Sequence, residues 1–349
     1  MSTSRATNSQ ARQFAELLSK HEPAIRDAFM RAVVDLQANV NWPALLAALE
    51  SGSTFSAVQA LNINEGAFNE YSQVLTSVFI DSGTATASLI VGTGQGAIGL
   101  RFNLQNPAAE KWIRHNVATR VVGFVQEQVE VARDVIAAGY AQGHHPHTIA
   151  LDLAGRVTNG TRQGGIMGLD GPRAARLAKV ASGMRTAEGV QDLVVQRLDG
   201  SLAMRYKVNP ATEQRILAAY VRGEAVPEAQ RLLSERQYRN ALLQARAETV
   251  ATTETAAAVM GARDVAWQQA AEQQGLDRSA VVKTWRHRRG RDGRITHIEM
   301  AGKSVVGLDT PFVLSDGSVM LYPHDPAGGA HNVINCGCDC EYRLIRSVS

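Results

Sequence analysis

The stretch AQRLLSERQYRNALLQARAETVATTETAAAVMGARDVAWQQAAEQQG, residues 229–275, decides the fold class. Ala, Gln, Glu, Arg and Leu dominate it, all strong helix formers, and no proline interrupts it. Gly275 supplies the stop, because glycine adopts the left-handed conformation that closes a helix. The spacing therefore predicts one long helix from Ala229 to Gln274.

Upstream of it the apolar residues keep a helical period. Phe14, Leu17 and Leu18, then Ile25, Phe29, Val33 and Leu36, recur at helical spacing, with Pro23 and Pro43 as punctuation. Gly83, Gly92, Gly94, Gly96 and Gly99 lie among small residues and predict a loop over 85–100. Asn106-Pro107 joins an N-cap to a first-turn proline, so a helix is expected from there to about Tyr140. A short helix is expected around Ile149–Leu153, with Thr148 helping to cap it. A glycine-rich turn, Arg162-Gln-Gly-Gly-Ile-Met-Gly168, comes before a helix starting at Gly171-Pro172. Asn209-Pro210 repeats the capping signal for a helix ending at Gly223.

Downstream of Gly275 the period moves towards two. Ile295–Met300, Phe312–Leu314, Val319–Tyr322 and Cys338–Ile345 read as strands, with Asp292-Gly293 and Asp316-Gly317 as hairpin turns. The expected fold is mainly α: an elongated helical body followed by a small α+β C-terminal domain with β-hairpins. Its expected divisions are an N-terminal helical region with a glycine-rich linker (1–100), a helical body (101–275) and the α+β domain (276–349).

Composition narrows the function classes. Of 349 residues 45% are hydrophobic, which suffices for a buried core, and only 5% are aromatic, which suits closely packed helices. The formal net charge of +3 is too small for a chain that coats DNA along its length. The polar N-terminus, MSTSRATNSQ, has no apolar core of a signal peptide, and no membrane span is expected. The three cysteines lie together at 336, 338 and 340, which is no secreted disulfide framework and points to a reducing compartment.

Cys336-Gly-Cys338-Asp-Cys340 is the sharpest chemical signal. In a strand, residues two apart share a face, so the three thiols would offer soft ligands to zinc. His297 and His324 are available to complete the shell, and a closed four-ligand site would be structural. The competing reading is three small buried side chains in a reducing environment. Lys283, Arg286, Arg288, Arg289, Arg291 and Arg294 form a basic run that fits phosphate, an acidic partner protein or a solvated face. Gly94-Gln-Gly-Ala-Ile-Gly99 fits a dinucleotide fingerprint in letters only, because no helix opens at it. His144, His145 and His147 read better as an interhelical turn than as a metal site. Neither a nucleophile elbow nor a phosphate-binding P-loop is present, so no enzyme is expected.

Trp285, Arg294-Ile-Thr-His297, Pro311-Phe312, Tyr322-Pro-His-Asp-Pro326 and Asn335-Cys-Gly-Cys338 follow one another in an order that resembles the C-terminal domain of phage Mu F-like head morphogenesis proteins. Arg246–Thr255 is similar to the helix preceding that domain in the family, and Arg162–Leu169 is similar to a glycine-rich turn upstream of it. Position 324 is His where the family usually has Gly, and 337 is Gly where it usually has Arg. The resemblance covers residues 100 to 345 and implies a minor head protein made in few copies. It would act in procapsid assembly, associate with the portal protein and with capsid or scaffolding proteins, and contact packaged DNA. Its place would be the virion interior near the portal, after assembly in the host cytoplasm. The alternatives are a DNA-binding ejection protein delivered into the host, or an effector enzyme carried on a head morphogenesis domain. For the portal or nucleic-acid contact the residues are Arg286, Arg288, Arg289, Arg291 and Arg294.

Overall fold

The fold is described from a computed structural model, which covers residues 2–92, 100–158, 160–288 and 293–345. Helices come first: α1 (Ser2–Ala38), α2 (Trp42–Glu50), α3 (Thr54–Ala60), α4 (Asn69–Gly92), α5 (Pro107–Trp112), α6 (Ala118–Ala141) and α7 (Pro146–Ala154). A hairpin of β1 (Arg156–Thr158) and β2 (Thr161–Gln163) precedes α8 (Gly171–Gly183) and α9 (Ala187–Leu193). A second hairpin, β3 (Val194–Gln196) and β4 (Leu202–Met204), leads to α10 (Pro210–Arg222) and the long α11 (Glu228–Gln274). The C-terminal region then holds β5 (Val281–Arg286), α12 (Ile295–Glu299), β6 (Ser304–Val306), β7 (Phe312–Val313), β8 (Val319–Met320), α13 (Ala330–Val333) and β9 (Asp339–Leu344). The chain is thus mainly helical, with small antiparallel sheets at its C-terminal end, as the sequence predicts.

The caps act where the sequence places them. Asn106 accepts from Ala108 N–H ahead of Pro107, and Gly223 closes α10 in the left-handed conformation. A π-helical turn, Ile113–Val117, joins α5 to α6, so the predicted helix to Tyr140 is continuous apart from one widened turn.

Several expectations need correction. Pro23 lies inside α1 instead of ending it. Proline in a helix interior costs about 3 kcal/mol. The buried stripe of Phe14, Leu17 and Leu18 before it and Ile25, Phe29, Val33 and Leu36 after it outweighs that cost. The loop predicted over 85–100 is helical as far as Gly92; residues 93–99 lie outside the described residues. Gly83 sits within α4 because the Phe102 ring packs where its side chain would be, 2.3 Å from an added Cβ. Ile295–Met300 is helical through Glu299, not a strand. Thr148 does not cap α7: His145 does, its Nδ1 accepting from His147 N–H at 3.2 Å.

The chain forms two compact units. One comprises Met1–Phe29, Phe68–Val121 and Glu248–Ser349; the other comprises Met30–Ala67 and Val122–Ala247. The expected division after 275 falls at the end of α11, while the units gather segments distant in sequence. In the first unit the start of α1 packs on β9. Gln10 donates to Tyr342 O at 2.7 Å and accepts from Tyr342 N–H at 3.1 Å. Arg263 of α11 donates to Cys340 O and Gln10 O, at 3.0 and 3.1 Å. Within this unit the last strand thus closes on α1 and α11. The helical stretch Thr54–Val91 is long and apolar enough to cross a membrane by length and composition. Within the first unit its Phe79 is buried, stacked on Trp112 at 4.3 Å and packed on Phe102 at 5.7 Å.

In the second unit the glycine-rich turn is held by side chains. Gln37 donates to Gly164 O, Arg239 to Gly165 O and Met167 O, and Arg246 to Gly168 O. Gln128 brackets it from α6, donating to Leu169 O and accepting from Gly168 N–H. Gly168 has φ +83°, and a Cβ there would meet Val33 at 2.5 Å and Leu243 at 2.8 Å.

Candidate metal centre

The three-stranded sheet runs β6-β5-β9, all antiparallel, with Trp285 opposite Cys340 and Arg286 opposite Asp339. Trp285 projects into the core, edge-on to His297 at 5.4 Å and to Phe312 at 5.3 Å. The segment entering β9 carries Cys336 and Cys338 and is pinned at Asn335, which has φ +54° and donates its N–H to Thr253 Oγ1 of α11 at 3.1 Å. Helix α12 brings His297 against both thiols.

His297 Nδ1 lies 3.5 Å from Cys336 Sγ and 3.6 Å from Cys338 Sγ. The three ligand atoms fall within 4.8 Å of one another, and all three residues are buried. Around a tetrahedral zinc, with Zn–S and Zn–N bonds of about 2.3 and 2.0–2.1 Å, sulfur and nitrogen ligands sit about 3.6 Å apart. The cluster thus has the spacing to hold a metal ion. The outer partner of the histidine is also in place. Asn332 donates through Nδ2 to Asp316 Oδ2, Ser318 Oγ and Gly328 O, which turns its Oδ1 to His297 Nε2 at 3.1 Å. Nε2 therefore carries the proton and Nδ1 offers its lone pair to the thiols, the usual arrangement of a ligating histidine. The Cys336 thiol is pushed up from its ordinary pKa by the adjoining Cys338 thiol and by burial. Binding a metal at Cys336 would therefore release its proton.

Cys340 does not join this group. Cys336 and Cys338 precede β9, so the strand rule that places alternate residues on one face does not apply to them. Cys340 lies within the strand, fully buried, among Lys283, Asp339, Arg263 and Asp264, and burial raises its pKa. Two further imidazoles approach the cluster. His324 is fully buried, its Nε2 2.9 Å from Cys338 O. His287 Nδ1 stands 3.5 Å from Cys338 Sγ. The sequence reading named His324 but missed His287, whose position inside the basic run masked it.

The basic run divides. Arg286 forms a two-pronged ion pair with buried Asp339, at 2.9 and 2.6 Å. Arg294 donates to His331 O and Ile334 O, both at 2.6 Å. Arg288 lies over the Phe14 ring at 5.9 Å. Arg286 and Arg294 thus brace the surroundings of His297, Cys336 and Cys338. Arg289, Arg291 and the Asp292 of the expected Asp292-Gly293 turn lie outside the described residues.

The remaining signals fall away. Leu89-Ile90-Val91, ahead of the glycine fingerprint, is the end of a helix rather than a strand, and Gly94–Gly99 lies outside the described residues. His147 packs edge-on against Trp42 at 5.7 Å. No protein-family model, characterised protein or solved structure matches this chain.

Proposed function

We propose that this chain is a minor head protein of a tailed bacteriophage, associated with the portal and acting in procapsid assembly and head morphogenesis. One observation carries the reading. The residues that resemble the Mu F-like signature are scattered over more than fifty positions, yet they meet in one constellation. Trp285 packs on His297 and Phe312, His297 on Cys336 and Cys338, and His324 on Cys338 O. Arg294 secures the segment before the cysteines, and Thr253, on the helix similar to the one preceding that domain, receives Asn335. A signature that is also a packing unit supports its being one functional module.

In this reading the metal is zinc, and its role is structural. A ligand set closed by protein side chains leaves no open position for a substrate, and the centre replaces apolar core in a region of short strands. The partners are the portal protein and capsid or scaffolding subunits, and the place is the virion interior. The ejection-protein alternative draws on free guanidinium groups for phosphate, and Arg286 and Arg294 are engaged internally. Co-expression with the portal protein of the same phage, followed by native mass measurement, tests the proposal. A complex of defined stoichiometry is expected. A chain that remains free of portal in cells that also assemble heads contradicts it.

A further inference from the structure

We propose that His324, through its Nδ1 atom, is the fourth ligand that completes a Cys2His2 zinc site with Cys336, Cys338 and His297. The inference rests on the reading that this cluster binds zinc.

Three observations converge on that atom. First, His324 is fully buried, and its Nδ1 makes no well-formed hydrogen bond, facing only the Cys336 thiol. A buried imidazole nitrogen left with only a weak thiol contact calls for an explanation such as an ion. Second, the other ring nitrogen is committed. Nε2 lies 2.9 Å from the carbonyl oxygen of Cys338, which can only accept, so Nε2 bears the hydrogen. Nδ1 is left as a bare lone pair, and a backbone carbonyl on the far nitrogen is how ligating histidines are oriented. That carbonyl belongs to a residue that itself supplies a thiol. Third, His324 is held at φ +71°. A side-chain-bearing residue in the left-handed region costs about 1–3 kcal/mol and persists where the surroundings require it. Glycine would take that conformation freely. An imidazole kept there against strain, with its free nitrogen beside the Cys336 thiol, is accounted for by coordination.

The alternatives are less well placed. The Cys340 thiol lies outside the cluster, among Lys283, Arg263 and Asp264. His287 reaches Cys338 Sγ and, like His324, stands outside the mutual 4.8 Å set of His297, Cys336 and Cys338, but it is only partly buried, whereas His324 is fully enclosed.

The test uses the full chain, titrated with zinc against a chromogenic chelator and with cobalt as a spectroscopic stand-in. Wild type should bind one ion per chain. His324→Ala and His324→Gly should each weaken zinc by about 100-fold or more, since even outer partners of ligands contribute 10- to 100-fold. Their cobalt forms should keep the thiolate charge-transfer bands and change the ligand-field bands that report four-coordinate geometry. His324→Gly separates ligation from strain: freed of the left-handed strain, its metal-free form should be more stable than that of His324→Ala, while the two lose zinc affinity alike. His287→Ala and Cys340→Ser should retain wild-type affinity. The proposal is overturned if wild type binds one zinc and both His324 variants lose less than about 10-fold, or if His287→Ala produces the loss instead. A wild-type chain that takes up no zinc overturns the underlying reading as well, and the same titration shows which of the two has failed.

Discussion

Asp264 gives the sharpest quantitative prediction. It lies in α11, fully buried, accepting from Tyr342 OH at 3.0 Å and from Gln268 Nε2 at 2.7 Å. Burial raises its pKa from 3.8 to about 6, against the pull of nearby Lys283. The folded chain therefore holds this proton more tightly than the unfolded chain between about pH 4 and pH 6. Unfolding in that window releases a proton, so stability falls as pH rises through it and levels off above. The gap between the two pKa values is worth about 3 kcal/mol in all, of which about 2 falls between pH 4.5 and pH 7. Asp264→Asn keeps an acceptor for Tyr342 and cannot ionise. Urea denaturation of both proteins at the two pH values isolates the effect, because every other titrating group is shared. The stability of the variant relative to wild type should rise by about 2 kcal/mol from pH 4.5 to pH 7. A relative stability that is flat or falls over that range would refute the assignment of a buried, strained carboxylate.

Other substitutions test the packing. An added Cβ at Gly261 would lie 2.1 Å from Trp112 Nε1, so Gly261→Ala should destabilise by about 1–3 kcal/mol although alanine is the better helix former. Chemical denaturation followed by tryptophan fluorescence reads this directly. Gly168→Ala, strained at φ +83° and crowded by Val33 and Leu243, should cost about 3 kcal/mol, with a lower thermal midpoint as the measurement. Arg263→Ala leaves Cys340 O and Gln10 O without their buried donor and should cost about 3 kcal/mol, with faster amide exchange in β9.

Much of the helical part is legible because its signals are local. Asn106 caps where it stands, Asn209-Pro210 opens α10 as placed although the Asn209 side chain accepts from Thr212 Oγ1 and not from the backbone, and the alanine-rich run from 229 to 274 needs no tertiary help to read as helix. Asp316-Gly317 likewise marks the turn between β7 and β8. Errors arise where tertiary packing decides. Gly83 reads as a breaker until Phe102 is seen to occupy its missing side chain. Ile295–Met300 reads as alternating, whereas its buried residues His297 and Met300 are three apart and face inwards from a helix. At the candidate metal centre, Cys336, Cys338 and His297 are legible from chemistry alone. Cys340 points elsewhere because strand alternation holds only from Asp339 on, and Cys336 and Cys338 lie three residues and one residue before it. His287 was hidden among arginines, since proximity across more than fifty residues leaves no local mark. The domain divisions followed composition, while Gln10 and Arg263 tie the chain's two ends through contacts no window of sequence contains.

The most direct test of the account is the metal content of the full chain, purified without added metal and measured by elemental analysis, with thermal unfolding before and after a strong chelator. The account predicts one zinc per chain and a thermal midpoint that falls on its removal and returns when zinc is restored. A chain that is metal-free as purified, folded, and indifferent to both chelator and zinc would contradict it.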